Sequence, residues 1–221
     1  MDPERLSTFL QSLDREDDPF ISEIETFGRA RGIPVARRET RAFLRTVIEL
    51  IAPRSILEIG TAIGCTAIAM AKYAPSAHVT TIELKKENFD MAAGFVRRAE
   101  ENGEIGAGRI RLIHGDAGEE LAALEGPYDL IFMDAAKGQY LNWLPDTLRL
   151  LSPGGVLVSD NVLQDGTILE SRFAVERRDR TIHRRMREYL YALCSDRELS
   201  TSVLPLGDGV AFTVKKRRYD G

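Results

Sequence analysis

Two aspartates close two apolar runs: Asp134 ends YDLIFMD and opens DAAKGQY, and Asp160 ends GGVLVSD with Asn161 directly after it. Two carboxylates and a carboxamide oxygen are short, hard donors that favour Mg²⁺ or Mn²⁺ over zinc or copper. Where such runs are parallel strands, their ends reach the carboxyl edge of the sheet, at which open α/β folds bind ligands. Lys137 stands three residues beyond Asp134, close to the same charge. The chemistry this set suits is activation of a hydroxyl. A dication chelated by two adjacent substrate oxygens stabilises the oxyanion. The lysine then either accepts the hydroxyl proton or stays charged beside the oxyanion.

A second constellation lies earlier in the chain. The run SILEIG leads through Glu58-Ile59-Gly60-Thr61-Ala62-Ile63-Gly64 into a helical segment, so a glycine-containing turn stands where a ligand approaches the backbone. Glu83 closes the next run, at about the twenty-residue offset of a carboxylate that holds ribose hydroxyls. The dinucleotide pattern GxGxxG is not met, because Ala62 occupies its middle glycine. A phosphate-free nucleoside, S-adenosylmethionine, therefore suits the loop better than a dinucleotide. Asp116 in HGDA, followed by Ala117, is placed to meet the adenine amino group; a helix-capping aspartate is the other reading of that residue.

Positioning these groups takes alternating strands and helices. SILEIG, HVTTIEL, RIRLIHGD, YDLIFMD and GGVLVSDN read as strands, separated by TAIAMAKYA, NFDMAAGFVRRAEENG and LNWLPDTLRLL, which read as helices. That order predicts right-handed βαβ units and a parallel sheet. Residues 5–52 read as helical, with Phe9, Leu10 and Leu13 on one face and Phe43, Leu44, Val47, Ile48 and Ile51 on another, before Pro53 stops the pattern. Near the carboxyl end, a helix from Arg184 to Leu193 precedes LSTSVLPLGDGVAFTVKK, two strands around a Gly-Asp-Gly turn that add antiparallel edge strands.

A length of 221 residues suits one domain, read as a helical part over 1–52 and a catalytic α/β core over 53–221. The two cysteines, Cys65 and Cys194, have no metal or disulfide spacing, which fits a reducing cytoplasm. No segment reads as a signal peptide or membrane span, so an unprocessed protein without a membrane partner is expected. The net charge of −4 excludes a general nucleic-acid packaging protein, yet basic residues cluster. Arg172, Arg177, Arg178, Arg180, Arg184, Arg185 and Arg187 crowd one segment, and Lys215, Lys216, Arg217 and Arg218 another. Such runs are either solvated faces or phosphate-binding surface.

The stretches LEIGTAIG, TIEL, HGDA, FMDAAKGQY and VSDNVL, in that order, resemble the metal-dependent O-methyltransferases of the catechol and caffeoyl-CoA type, a branch of the class I S-adenosylmethionine-dependent fold. The resemblance covers about residues 30–216, with DAAK and DN its most specific parts. Within that group, DAAKGQY, SDNVL and PLGDGVAF are most similar to bacterial tRNA 5-hydroxyuridine methyltransferases. The resemblance implies a Rossmann-like fold: a mostly parallel seven-stranded sheet with an antiparallel carboxyl-terminal hairpin and helices on both faces. It implies metal ligation by Asp134, Asp160 and Asn161, and Lys137 as the base. The implied cofactor contacts are Ala36, Glu58, Gly60, Thr61, Gly64, Thr66, Glu83, Asp116, Ala117 and Asp134. A homodimer, joined through the helical amino terminus, is also expected.

The expected reaction is methyl transfer from S-adenosylmethionine to 5-hydroxyuridine in a tRNA anticodon loop, the alternative being a small catechol-like or phenolic substrate. Both present two neighbouring oxygens to one cation. An RNA base also needs phosphate contacts, for which the basic clusters and Arg37, Arg38 and Arg41 are the candidates. Small-molecule members usually carry an acidic, glycine-containing stretch where this chain has Ala36-Arg37-Arg38-Glu39-Thr40-Arg41, which favours an anion at the entrance. A Rossmann oxidoreductase and a non-catalytic S-adenosylmethionine-binding module are the competing classes. His78, His114 and His183 share no metal spacing and read as satisfied surface or core histidines, while Tyr140 and Trp143 read as the core face of a helix, the alternative being stacking on a base.

Overall fold

Strand order reverses beside the first strand, and that reversal decides where ligands can bind. In the computed structural model, which describes residues 5, 8, 9, 12, 13, 18–171 and 175–217, the helices are α1 (Pro19–Ala30), α2 (Arg38–Ile51), α3 (Cys65–Tyr73), α4 (Lys86–Glu101), α5 (Ala117–Ala123), α6 (Tyr140–Leu150) and α7 (Arg180–Ser195). The strands are β1 (Ser55–Ile59), β2 (His78–Glu83), β3 (Ile110–His114), β4 (Tyr128–Met133), β5 (Leu151–Ser159), β6 (Leu199–Leu204) and β7 (Val210–Lys215). They form one seven-stranded sheet in the order β3-β2-β1-β4-β5-β7-β6. The pairs β2–β3, β1–β4 and β4–β5 are parallel, while β7 pairs antiparallel with both β5 and β6. After β3 the chain returns to the other side of β1, so the carboxyl ends of β1 and β4 flank the switch point at which such sheets bind ligands.

Contacts divide the chain into two compact units, Met1–Arg54 with Thr61–Gly115, and Ser55–Gly60 with Asp116–Gly221. In the second unit, β1, β4 and β5 bury nearly every side chain, as expected of strands covered on both faces. Leu57, Ile59, Leu130, Phe132 and Leu157 form its core with the wholly buried Tyr189 of α7. The first unit packs Leu44 and Ile48 of α2 with Ile24, Ile68, Met70 and Val79. Each such side chain, fully removed from water, stabilises the fold by roughly 1.5–3 kcal/mol.

The helical reading of residues 5–52 needs correction at its centre. Helix α1 ends at Ala30, Gly32 adopts φ +64°, and residues 31–37 are not helical until α2 begins at Arg38. A left-handed glycine followed by Pro34 terminates one helix and separates it from the next. Phe9 and Leu13 are exposed, so they form no core face, and Leu10 lies outside the described residues. Helix α7 starts four residues before Arg184, at Arg180. No helix among the described residues is long and apolar enough to cross a membrane.

Candidate active site

The second unit gathers the metal-ligand candidates. Parallel pairing continues past the strand ends: Asp134 N donates to Ile59 O at 3.0 Å, and Asp160 N to Met133 O at 2.9 Å. These bonds align the two aspartates along the carboxyl edge. Gly60, at φ +104°, lies so close to the Asp134 backbone that a Cβ would run into the Asp134 carbonyl oxygen. Gly60→Ala is therefore expected to destabilise the protein by about 2–4 kcal/mol, combining clash with backbone strain. Gly32→Ala, left-handed but with nothing within 4 Å, should show the strain alone, about 1–2 kcal/mol. Urea unfolding of the two variants measures both.

Burial pushes the Asp134 carboxyl up, and the charges of Asp160 and then Asp208 add to it against the pull of Lys137, so that it titrates at about 7. Asp160 is buried, and its Oδ1 accepts from Asn161 N at 2.8 Å. Asn161 itself is left-handed, φ +57°, and its Nδ2 donates to Asp208 Oδ2 at 3.1 Å. Asp208 belongs to the Gly-Asp-Gly stretch, whose sequence signals only a turn. Among the described residues, no three His, Cys, Asp or Glu side chains gather as a metal cluster on their own. The candidate donor set is two carboxylates and an amide oxygen, and a carboxyl that burial, then the Asp160 charge, holds near 7 is one that a dication would relieve.

Tyr140 ties these segments together. Fully buried, its hydroxyl accepts from Ala135 N at 3.2 Å and lies 3.2 Å from Met133 O and 3.3 Å from Asp160 O, the two carbonyls that share its proton. Burial, reinforced by the Asp134 charge, pushes the phenol well above its ordinary pKa, which keeps it a donor. The expectation of a core position is met; the polar tie at its tip has no signal in the helical spacing. Lys137 begins a 3₁₀ turn, Lys137–Gln139, just before α6 and is half-buried. Asp116 caps α5, with Oδ1 accepting from Gly118 N at 2.8 Å, so one carboxylate oxygen does the capping and Oδ2 remains for a ligand. Ala117 is buried at the first position of that helix, and Glu58 is wholly buried in β1.

In the first unit, Glu83 organises the loop. Its Oε2 accepts from Ala62 N at 2.8 Å and its Oε1 from Lys85 N at 2.9 Å. Oε1 also accepts from Asn88 Nδ2 at 3.5 Å, so Oε2, with one bond, keeps the lone pair a ribose hydroxyl would use. Gly64 is left-handed, φ +85°, at the start of α3, and Thr66 is buried in the first turn of that helix. Thr61 Oγ1 lies 2.5 Å from Thr81 Oγ1, a hydroxyl already committed within the fold. Ala36 is buried and its carbonyl accepts from Arg41 Nη1 at 2.5 Å.

A family model described as O-methyltransferase matches residues 21–216. The chain belongs to the O-methyltransferase family. It is 32% identical over 171 residues to the catechol O-methyltransferase of Mycobacterium tuberculosis, covering 76% of each chain. It is 30% identical over 198 residues to tricin synthase 2 of Oryza sativa subsp. japonica, covering 87% of this chain and 65% of the rice protein. The SAH-bound methyltransferase of Podospora anserina superposes with a TM-score of 0.83 at 25% identity, covering 100% of this chain and 97% of that one.

In this O-methyltransferase, most of the clustered cations that the structure describes meet carbonyls or carboxylates of the same chain, some of them at the surface. Arg41 is buried, pairs with Glu25 and is no phosphate ligand. Arg180, Arg185 and Arg187 donate to the carbonyls of Val175, Gly138 and Ile168 at 3.1, 2.7 and 2.9 Å. Arg184 pairs with Glu188, and Arg178 with Glu176 and Asp179. Lys215 Nζ donates to Leu148 O and Leu151 O, and Lys216 Nζ to Arg197 O. Arg172 and Arg218 lie outside the described residues. A charge run in sequence does not reveal whether its donors meet carbonyls or water. His183 is buried, but its Nε2 has no hydrogen-bond partner among the described residues, contrary to the satisfied histidine expected.

Gly138 sits in the Lys137 turn, so the Arg185 bond bears on where Lys137 stands. Arg185→Ala is expected to lower kcat on a small phenolic substrate about tenfold or more through a displaced lysine, with KM little changed. A phosphate-binding role would instead raise KM for tRNA and leave catechol turnover intact, so steady-state kinetics on both substrates separates the roles.

Proposed function

We propose that this S-adenosylmethionine-dependent O-methyltransferase methylates a hydroxyl that has a second oxygen beside it, as in a catechol, with Mg²⁺ or Mn²⁺ held by Asp134, Asp160 and Asn161. The observation that carries the reading is the placement of Asp134 and Asp160 at the ends of adjacent parallel strands, fixed by the bonds Asp134 N–Ile59 O and Asp160 N–Met133 O, with Asn161 directly after. When bound, the cation would stabilise the oxyanion and fix its position. Lys137 accepts the hydroxyl proton. The oxygen then displaces sulfur in line: a C–O bond forms, the methyl C–S bond breaks, and S-adenosylhomocysteine leaves. Glu83 receives the ribose hydroxyls and Asp116 Oδ2 the adenine amino group. Gly60, Thr61, Gly64, Thr66, Ala36, Glu58, Ala117 and Asp134 are the further residues proposed to contact the nucleoside.

The relative named catechol O-methyltransferase supports a small catechol-like or phenolic substrate. A second reading, 5-hydroxyuridine in tRNA, is favoured by the stretches DAAKGQY, SDNVL and PLGDGVAF and by the exposed Arg177 and Arg178 just before α7. The internal bonding of the other arginines weakens it. Incubation with S-adenosylmethionine, Mg²⁺, catechol and hypomodified tRNA together decides the class by mass spectrometry. Guaiacol as the sole product supports the small-molecule reading; 5-methoxyuridine in preference to guaiacol overturns it. The two free cysteines, Cys65 buried and Cys194 exposed, support a reducing cytoplasm as the compartment.

A further inference from the structure

We infer that Asp208, at the tip of the β6–β7 hairpin, is the positioning residue that fixes the Asn161 carboxamide with its oxygen as the donor atom. The inference rests on the cation site proposed above. Asn161 Nδ2 donates to Asp208 Oδ2 at 3.1 Å, so the amide edge turned toward the hairpin is the NH₂. The oxygen is left as the atom a hard cation can use.

The rest of the hairpin tip is built to hold this contact. Leu163 N donates to Asp208 O and Val162 N to Gly209 O, both at 2.9 Å, so two backbone bonds dock the turn onto the segment that follows Asn161. Gly209, at φ +90°, permits that approach, since a Cβ there would collide with the Leu163 side chain. Asn161 is held from its other side by the bond between its own N–H and Asp160 Oδ1. Its left-handed backbone is one that asparagine tolerates better than most residues. The antiparallel register Ser159–Ala211 carries the same alignment back into β5 and β7. Asn161 is thus clamped at backbone and side chain, and Asp208 is the side-chain half of the clamp.

The test is Mn²⁺ titration of metal-free, full-length protein, followed by electron paramagnetic resonance without S-adenosylmethionine or substrate. Asp208→Ala removes the acceptor. Asp208→Glu keeps the charge and displaces the carboxylate by one methylene. Both are expected to weaken Mn²⁺ binding about 10–100-fold, the range for residues that orient metal ligands. An Asp208→Glu protein that binds like wild type would show that only the local charge matters and would overturn the inference. An independent readout is exchange of the Asn161 side-chain amide protons in metal-free protein: slow in wild type, fast in Asp208→Ala. Equal rates would overturn it even if a variant folds poorly enough to blur the titration. Asp160→Ala separates the two levels. Weak binding there with unaltered binding in both Asp208 variants refutes the role of Asp208 alone, whereas a wild type that binds no Mn²⁺ refutes the cation site and this inference together.

Discussion

Asp160→Ala is expected to slow methyl transfer to catechol by on the order of 10³, the equivalent of about 4 kcal/mol of lost Lewis-acid stabilisation, while leaving S-adenosylhomocysteine affinity unchanged. The size of the effect follows from what the side chain does. Asp160 is 2% exposed, so its carboxylate sits where charge interactions are little screened, and it is one of the two carboxylates in the proposed donor set. Its Oδ1 also holds Asn161 N, so the same substitution loosens the third donor. The cofactor half is spared, because the loop that Glu83 organises depends on Ala62 and Lys85 rather than on β5. Initial rates at saturating Mg²⁺, beside isothermal titration with S-adenosylhomocysteine, give both quantities. A rate within tenfold of wild type would remove the cation from the mechanism.

Asp134→Asn should make the metal-free protein more stable at pH 8 than wild type, and less favoured at pH 5. The Asp134 carboxyl titrates at about 7 in the folded protein against 3.8 without the fold. The folded state therefore holds this proton more tightly. Its contribution to stability is complete below about pH 4 and is lost as pH rises to about 7; above that, the buried charge carries its full desolvation penalty. Allowing for the partial exposure of the side chain, the stability difference between wild type and variant should move against wild type by on the order of 2–4 kcal/mol between pH 5 and 8. Mg²⁺ should reverse this in wild type alone, and more strongly at pH 8, because cation binding displaces the proton. Urea unfolding of both proteins, with Mg²⁺ or with chelator, tests it. Parallel pH profiles would show that Asp134 carries no such penalty.

The chain declares its strands well and its polar ties poorly, for a physical reason. Runs such as LIFM in β4 and VLV in β5 are apolar throughout because both faces of those strands are covered, and an aspartate directly after such a run marks the sheet edge. The hairpin is legible because Gly207-Asp208-Gly209 needs left-handed backbone, which it has at both glycines. The break between α1 and α2 is marked by Gly32 and Pro34, yet the helical periodicity on either side conceals it. Arg185, Arg187 and Lys215 look like surface charge in sequence, and only their folded positions bring carbonyls to them. Tyr140 and Asp208 were unreadable for the same reason: a hydroxyl on a core face and a carboxylate in a turn gain their partners from segments distant in sequence.

The most direct test of metal-assisted transfer to one of two neighbouring oxygens is a product assay with metal-stripped enzyme, S-adenosylmethionine and either catechol or phenol. Methylation of catechol that appears with Mg²⁺, vanishes with chelator and has no counterpart on phenol is the predicted result. Chelator-insensitive methylation, or phenol methylated as fast as catechol, would contradict the account.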